Sequence, residues 1–475
     1  MDLDIRKGEI HCLAGENGCG KSTLIKIVSG VYKADEGTIE LNGRSFTHLT
    51  PAESIRQGVQ VIYQDFSLFP NLTVMENLAL NLELSNNRKW INYKRFRQMA
   101  QQALAKIQVQ LDLGETVENL SVADKQLIAI SRALLSDARL IIMDEPTTAL
   151  TKKEVRALFQ VIKNLQQQGM SILFVSHKLD EVFEISERFT IMRNGVKVIS
   201  GETKELDSAK CSYYMTGREL AQTRYCPASL SKEPVLEVRR LSLKNGFTDI
   251  SFSLRKGEIL GITGLLGSGR TELVQSLFGI YPADSGEIRI HGQPVRIRSV
   301  QDAIHHGIGY VPEDRLTKGL FLPQPIADNI AVSKLKRFSN RLGLLKRRNL
   351  TDEANRWIRD LSIRTDSAAS PVATLSGGNQ QKVILARWLA TDLSILMLNG
   401  PTVGVDIGAK FDIHARIREL AAQGLAVIMI SDDLPEVLAN CNRVLVMRHG
   451  RIVSELDTKE TEEQQLAMIA TAGTL

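Results

Sequence analysis

Gly15-Glu16-Asn17-Gly18-Cys19-Gly20-Lys21-Ser22 is the stretch whose reading decides the fold. It fits G-x-x-x-x-G-K-[ST], directly after the apolar run Ile10 to Ala14 and directly before the helix-like segment Thr23 to Ser29. Strand, glycine-rich loop and helix in that order predict a phosphate cradle. Glycines at 15, 18 and 20 let backbone N–H groups curl around phosphate oxygens at a helix N-terminus. Lys21 supplies positive charge to the β/γ-phosphates, and the Ser22 hydroxyl is placed for Mg²⁺. Asn17 and Thr23 complete this candidate binding set.

Further along, Leu140-Ile141-Ile142-Met143-Asp144-Glu145-Pro146 reads as an apolar strand ending in two acids. Successive strand residues point opposite ways, so the two carboxylates take different tasks. Asp144 suits holding Mg²⁺ through water, and Glu145 suits polarising an attacking water. His177, in Ser176-His177-Lys178, follows the apolar run Ile172 to Val175 and is placed to meet a γ-phosphate.

The chain repeats itself. Arg6-Lys7-Gly8-Glu9-Ile10 returns as Arg255-Lys256-Gly257-Glu258-Ile259, and Met192-Arg193-Asn194-Gly195 returns as Met447-Arg448-His449-Gly450. The second copy carries Gly264-Leu265-Leu266-Gly267-Ser268-Gly269-Arg270-Thr271, so Gly264, Gly269, Arg270 and Thr271 form a second candidate phosphate loop. Arginine there keeps the charge but not the compact ammonium. The acidic strand end becomes Asn399-Gly400, and the histidine becomes Asp432. A third element is distributed in the opposite sense: Leu375-Ser376-Gly377-Gly378 opens a helix with an anion-binding start, whereas the first copy has Leu120-Ser121-Val122-Ala123-Asp124. Val122 and Ala123 obstruct close approach to the backbone, and Asp124 would repel phosphate.

At 475 residues the chain exceeds one hydrophobic core. The repeat divides it into a domain at 1–220, a linker at 221–233 and a domain at 234–475. Aligning the copies leaves residues 232 to 249 without a counterpart in the first, so an opening strand is expected to be missing from domain one. Apolar residues at 43% and charged residues at 24% suit a folded globular protein. A net charge of +5, without a basic stripe, argues against nucleic acid as partner. The basic stretch Lys334 to Arg348 reads as a solvated helical face. Five scattered cysteines, without metal-ligand spacing, fit a reduced cytosolic compartment. No apolar run is long enough to span a bilayer, and the N-terminus lacks a signal peptide's features.

These motifs together resemble the ABC ATPases, and the fused arrangement is similar to the sugar-importer subfamily serving ribose, xylose, galactose and autoinducer-2. Val61-Ile62-Tyr63-Gln64-Asp65 resembles that family's glutamine loop, with Glu313 in Tyr310-Val311-Pro312-Glu313-Asp314-Arg315 at the equivalent position. The resemblance covers essentially the whole chain. It implies tandem α/β P-loop domains, each a mostly parallel sheet with an antiparallel β subdomain and a helical subdomain. It also implies head-to-tail pairing of domains, with each ATP between one domain's phosphate loop and the other's signature. Site one would then join Lys21, Ser22, Gln64, Asp144, Glu145 and His177 to Ser376, Gly377 and Gly378. Glu145, His177 and Gln64 would be catalytic, and Ser22, Gln64 and Asp144 would hold Mg²⁺. Site two would be degenerate.

The implied partners are transmembrane permease subunits and, through them, a periplasmic or extracellular solute-binding protein. The implied place is the cytoplasmic face of the membrane, peripherally attached. In the family, the missing opening strand carries an aromatic that stacks on adenine. Two other readings stay open: a non-catalytic relic of such a subunit, and a soluble twin-ABC translation factor, against which the short linker and altered second site count.

Overall fold

The computed structural model describes residues 1–85, 92–148, 150–218, 224–225, 233–339 and 345–471. The chain forms two compact units, 1–220 and 221–475. Arg224 and Tyr225, inside the expected linker, bond to the second unit: Arg224 Nη1 donates to the Thr458 carbonyl at 2.6 Å and Tyr225 N to the Ala439 carbonyl at 2.9 Å.

In the first unit, apolar runs too short for helices become a six-stranded sheet. Its order is Val59–Ile62, Leu140–Asp144, Ser171–Ser176, Ile10–Ala14, Arg188–Arg193 and Val196–Glu202. All pairings are parallel except the last. Every residue of Ile10–Ala14 is buried, as a central strand covered on both faces must be. Ile10 pairs with Ile172 on one side, and His11 with Arg188 on the other. Leu13, Ile25, Ile142 and Val175 pack in the core beneath the phosphate loop. The segment that follows the Asp144 strand forms the helix Lys152–Gln167.

The second unit repeats the design as Ile308–Val311, Ile395–Asn399, Ala426–Ile430, Ile259–Thr263, Arg443–Arg448 and Arg451–Asp457, again antiparallel only at the final pair. The copies differ beside this core. A four-stranded antiparallel sheet, ordered Phe247–Arg255, Pro234–Leu243, Ser285–Ile290 and Gln293–Val295, flanks the second unit. Among the described residues, the first unit has only the hairpin Ile39–Leu41 with Arg44–Phe46 in that place. Each unit also carries a helical part: Val74–Ser85, Tyr93–Lys106 and Val122–Leu135 in the first, Ile326–Ala331, Arg347–Asp360 and Gly377–Leu389 in the second.

The basic stretch beginning at Lys334 is not the single helical face expected. A 3₁₀ turn ends at Lys334, a four-residue helix follows at Leu335–Phe338, and a separate helix starts at Arg347. Residues 340–344 of that stretch lie outside the described residues. Lys334 is turned inward, donating to the Ala390 carbonyl, because its long side chain can cap the end of the helix Gly377–Leu389.

Candidate functional site: two phosphate loops with unequal surroundings

In each unit the phosphate loop runs from the buried central strand into a helix, Lys21–Val28 in the first and Arg270–Leu277 in the second. The residues before these helices, Gly20 and Gly269, lie at φ 105° and 93°, a region that disfavours a side chain. Gly15 and Gly264 are needed for a different reason. A Cβ at either would collide with a main-chain oxygen, of Met192 or Met447 respectively.

Lys21 is buried, and its ammonium donates to the carbonyls of Gly15 and Glu16 at 2.7 and 2.9 Å. The charge is thereby held on the loop. The Ser22 hydroxyl donates to Asp144 Oδ2 at 3.3 Å, uniting two hard oxygen ligands from positions far apart in sequence. Burial and the neighbouring Glu145 charge push the Asp144 carboxyl above its ordinary range, despite the Ser22 bond and Lys21. That donor set fits a divalent cation, which would relieve the cost of ionising Asp144. No cluster of three or more His, Cys, Asp or Glu side chains able to hold a metal occurs among the described residues. Beyond Ser22, Asp144 and Gln64, such an ion would take its ligands from phosphate and water.

Glu145 departs from the expected picture. It is not the last strand residue but the first residue beyond the strand, at φ 50° with its N–H donating to the Val175 carbonyl at 3.0 Å. What separates it from Asp144 is this left-handed turn, not the alternation of a strand. Such a conformation costs a non-glycine residue roughly 1–2 kcal/mol, and strain of this kind gathers at functional positions. Glu145 Oε1 lies 2.9 Å from His177 Nδ1. Burial opposes ionisation of Glu145, but the His177 bond and charge, with Lys21 and Lys178, hold it below the ordinary glutamate range. Gln64 is exposed, two residues past the strand Val59–Ile62, which pairs with the Asp144 strand.

The second unit preserves the backbone and changes the chemistry. Arg270 Nη1 donates to the Gly264 carbonyl at 2.6 Å, the same tether that Lys21 makes. Its Nη2 lies 3.7 Å from Asp432 Oδ2, so the residue aligned with His177 faces this arginine. Asn399 Nδ2 donates to Thr271 Oγ1 at 3.3 Å, replacing the Ser22–Asp144 contact with a neutral one. Gly400 takes the left-handed turn at φ 59°, with no side chain to position water.

The helix starts are unequal too. Ser121 Oγ accepts from the Asp124 N–H at 3.1 Å and donates to the Asp124 carboxylate at 2.7 Å, so the first unit's helix start is filled by its own acid. The helix Gly377–Leu389 has no side-chain cap, and Ser376 Oγ accepts instead from Asn379 Nδ2 at 2.9 Å.

Sequence reasoning missed one feature of both units. Buried Glu181 accepts from Thr147 Oγ1 at 2.5 Å and Ser176 Oγ at 2.6 Å, tying the loop after Glu145 to the residue before His177. Glu436 repeats this with Thr402 and Ser431, and accepts further from His414 Nε2 at 2.6 Å. The signal was present in the repeat: serine, glutamate and threonine recur at one common spacing between the copies.

Each unit thus carries a P-loop between a buried strand and a helix, and the first has Lys21, Asp144, Glu145 and His177 where the second has Arg270, Asn399, Gly400 and Asp432. The ABC transporter family profile matches residues 1–148 and 247–403. The ribose import ATP-binding protein RbsA of Geobacillus kaustophilus is 42% identical over 474 residues, covering 100% of this chain and 96% of that protein. A putative ribose/galactose/methyl galactoside import ATP-binding protein of Burkholderia lata is 41% identical over 471 residues, covering 99% and 92%. Among solved structures, an archaeal ribosome recycling factor, aABCE1, in complex with ribosomal stalk protein aP1, matches with TM-score 0.60 and 19% identity. That match covers 98% of this chain and 89% of that one, and shows the fold. The chain belongs to the ABC transporter family.

Proposed function

We propose that the chain is the ATP-binding subunit of a bacterial ABC importer, hydrolysing ATP at one composite site to drive uptake of a sugar or sugar-like solute. The observation that carries this is the contrast between equivalent positions. Glu145 and His177 lie 2.9 Å apart in the first unit, while the second has Gly400 and an Asp432 turned to Arg270. The names of the relatives, all import ATP-binding proteins, support the transport reading.

In this reading Lys21 and the loop amides bind the triphosphate, and Ser376, Gly377 and Gly378 complete the site as phosphate-facing donors. Glu145 orients the attacking water, its carboxylate kept ionised by His177. His177 in turn faces the γ-phosphate. Ser22 and Asp144, with Gln64, would hold Mg²⁺, which when bound neutralises phosphate charge. Removing one water-positioning group costs on the order of 10²-fold in rate, so the combined losses at Asn399, Gly400 and Asp432 leave site two without turnover.

No helix among the described residues is long and apolar enough to cross a membrane. Passage of the solute therefore falls to separate permease subunits, fed by a solute-binding protein, with this chain peripheral on the cytoplasmic face and the surfaces near Gln64 and Glu313 passing on its motion. The test is ATP turnover by the assembled transporter: Glu145→Gln abolishes it, whereas Arg270→Ala retains most of it. Equal losses from both variants would overturn the assignment of one hydrolytic site.

A further inference from the structure

Three segments of the second unit meet at the guanidinium of Arg315. Arg315, two residues past Glu313, begins the π-helical turn Arg315–Gly319 that follows the strand Ile308–Val311. Its Nη1 donates to the Val403 carbonyl at 2.6 Å and its Nη2 to the Gly404 carbonyl at 3.1 Å, in the loop that follows Asn399-Gly400. Its Nε reaches Gln380 Oε1 at 3.4 Å, on the first turn of the helix that Ser376 opens. One planar, permanently charged fork thus joins the Glu313 loop, the 403–404 loop and the signature helix, a geometry that lysine cannot reproduce.

The glycines around it are shaped by this fork. A Cβ at Gly377 would lie 2.7 Å from Arg315 Nη2 and 3.0 Å from the Gly404 carbonyl oxygen. At Gly404, φ is 65°, and a Cβ would lie 3.2 Å from Arg315 Nη1. On the other side, a Cβ at Gly378 would lie 2.5 Å from the Ala409 methyl. The turn is gripped from both sides.

The duplication provides an internal control. In the first half the positions of Arg315, Gly377 and Gly404 are occupied by Phe66, Val122 and Ala149. Arginine and both glycines are lost together, in the copy whose helix start is closed by Asp124.

We infer that Arg315 is a positioning residue for ATP turnover, holding the Ser376–Gly378 turn and the 403–404 loop in register so that the turn can act on a bound triphosphate. This rests on the composite-site reading above. Arg315 acts through the turn and the loop carbonyls, where its donors are engaged. Its loss should therefore lower turnover while leaving nucleotide capture by the Lys21 loop intact.

The experiment measures steady-state ATP turnover and fluorescent ATP-analogue binding by the full chain. Arg315→Ala is expected to lower kcat at least 10-fold with KM and analogue affinity within twofold, and Arg315→Lys to restore less than half of the loss. Gly377→Ala drives a methyl against both the fork and the Gly404 carbonyl, so it should lower kcat in the wild-type background. Where Arg315→Ala folds poorly, Arg315→Lys carries the test, since it keeps the charge and loses the fork, and turnover within twofold of wild type would overturn the positioning role.

Ser376→Arg separates the two readings. If it abolishes turnover while Arg315→Ala stays within twofold of wild type, the positioning role is wrong and the composite site stands. If Ser376→Arg leaves turnover intact, the composite site fails and this inference fails with it.

Discussion

Replacing Glu436 by glutamine should destabilise the second unit by about 3 kcal/mol at neutral pH and by almost nothing near pH 2. The carboxylate is 4% exposed and accepts from Thr402 Oγ1 at 2.5 Å, His414 Nε2 at 2.6 Å and the Ser431 hydroxyl. Burial opposes its charge, but the His414 bond and charge, with Lys410 and Ser431, prevail and lower its pKa from 4.5 to about 2. A tenfold change in proton affinity is worth about 1.4 kcal/mol, so the fall from the ordinary glutamate value gives ~3 kcal/mol. The folded-state pKa is depressed, so this stability is fully present above pH 4.5 and is lost as pH falls towards 2.

Glutamine approximates the protonated side chain in shape and charge, so the gap between variant and wild type should close through that window. The assay is urea unfolding followed by Trp357 and Trp388 fluorescence in a Trp90→Phe background, which confines the signal to the second unit. A gap below about 1 kcal/mol at pH 7, or one that does not shrink on acidification, would refute the account.

Glu145→Gln should cut ATP turnover by at least about 10²-fold without weakening nucleotide binding, since it removes a water-orienting group and leaves the Lys21 loop untouched; a filter-binding and phosphate-release pair of assays checks both halves. Glu181→Gln should lower turnover about 10-fold at unchanged nucleotide affinity, because one of the Thr147 and Ser176 hydroxyls then meets an amide donor in place of the acceptor that frames Glu145 and His177; steady-state kinetics decide. Gly15→Ala should destabilise the first unit by about 1–3 kcal/mol, the range for an overpacked site, since its methyl meets the Met192 carbonyl; thermal unfolding of the full chain measures it.

Much of the site was legible in one dimension because its chemistry is local. A phosphate loop needs glycines, a cation and a hydroxyl within eight residues, and strand periodicity around it needs only short-range order. The duplication then exposed the second site's losses by simple alignment: Asn399 for Asp144, Gly400 for Glu145, Asp432 for His177. Strand alternation is the wrong account of what separates Asp144 from Glu145, because a left-handed φ of 50° leaves no mark on a glutamate's identity. One solvated face is the wrong account of the run from Lys334, because helix breaks and an inward-turned lysine depend on which carbonyls lie nearby.

The sequence by itself therefore determined the α/β class, the repeat, the loop chemistry and the inequality of the copies, all properties of residue type and spacing. Tertiary structure alone decided which distant groups meet: Ser22 with Asp144, Glu145 with His177, Glu181 with Thr147, Arg315 with Val403 and Gly404. Those contacts join segments far apart along the chain. They exist only because parallel strands bring loop after loop to one end of the sheet, where a hydrogen bond depends on fractions of an ångström that no local pattern encodes.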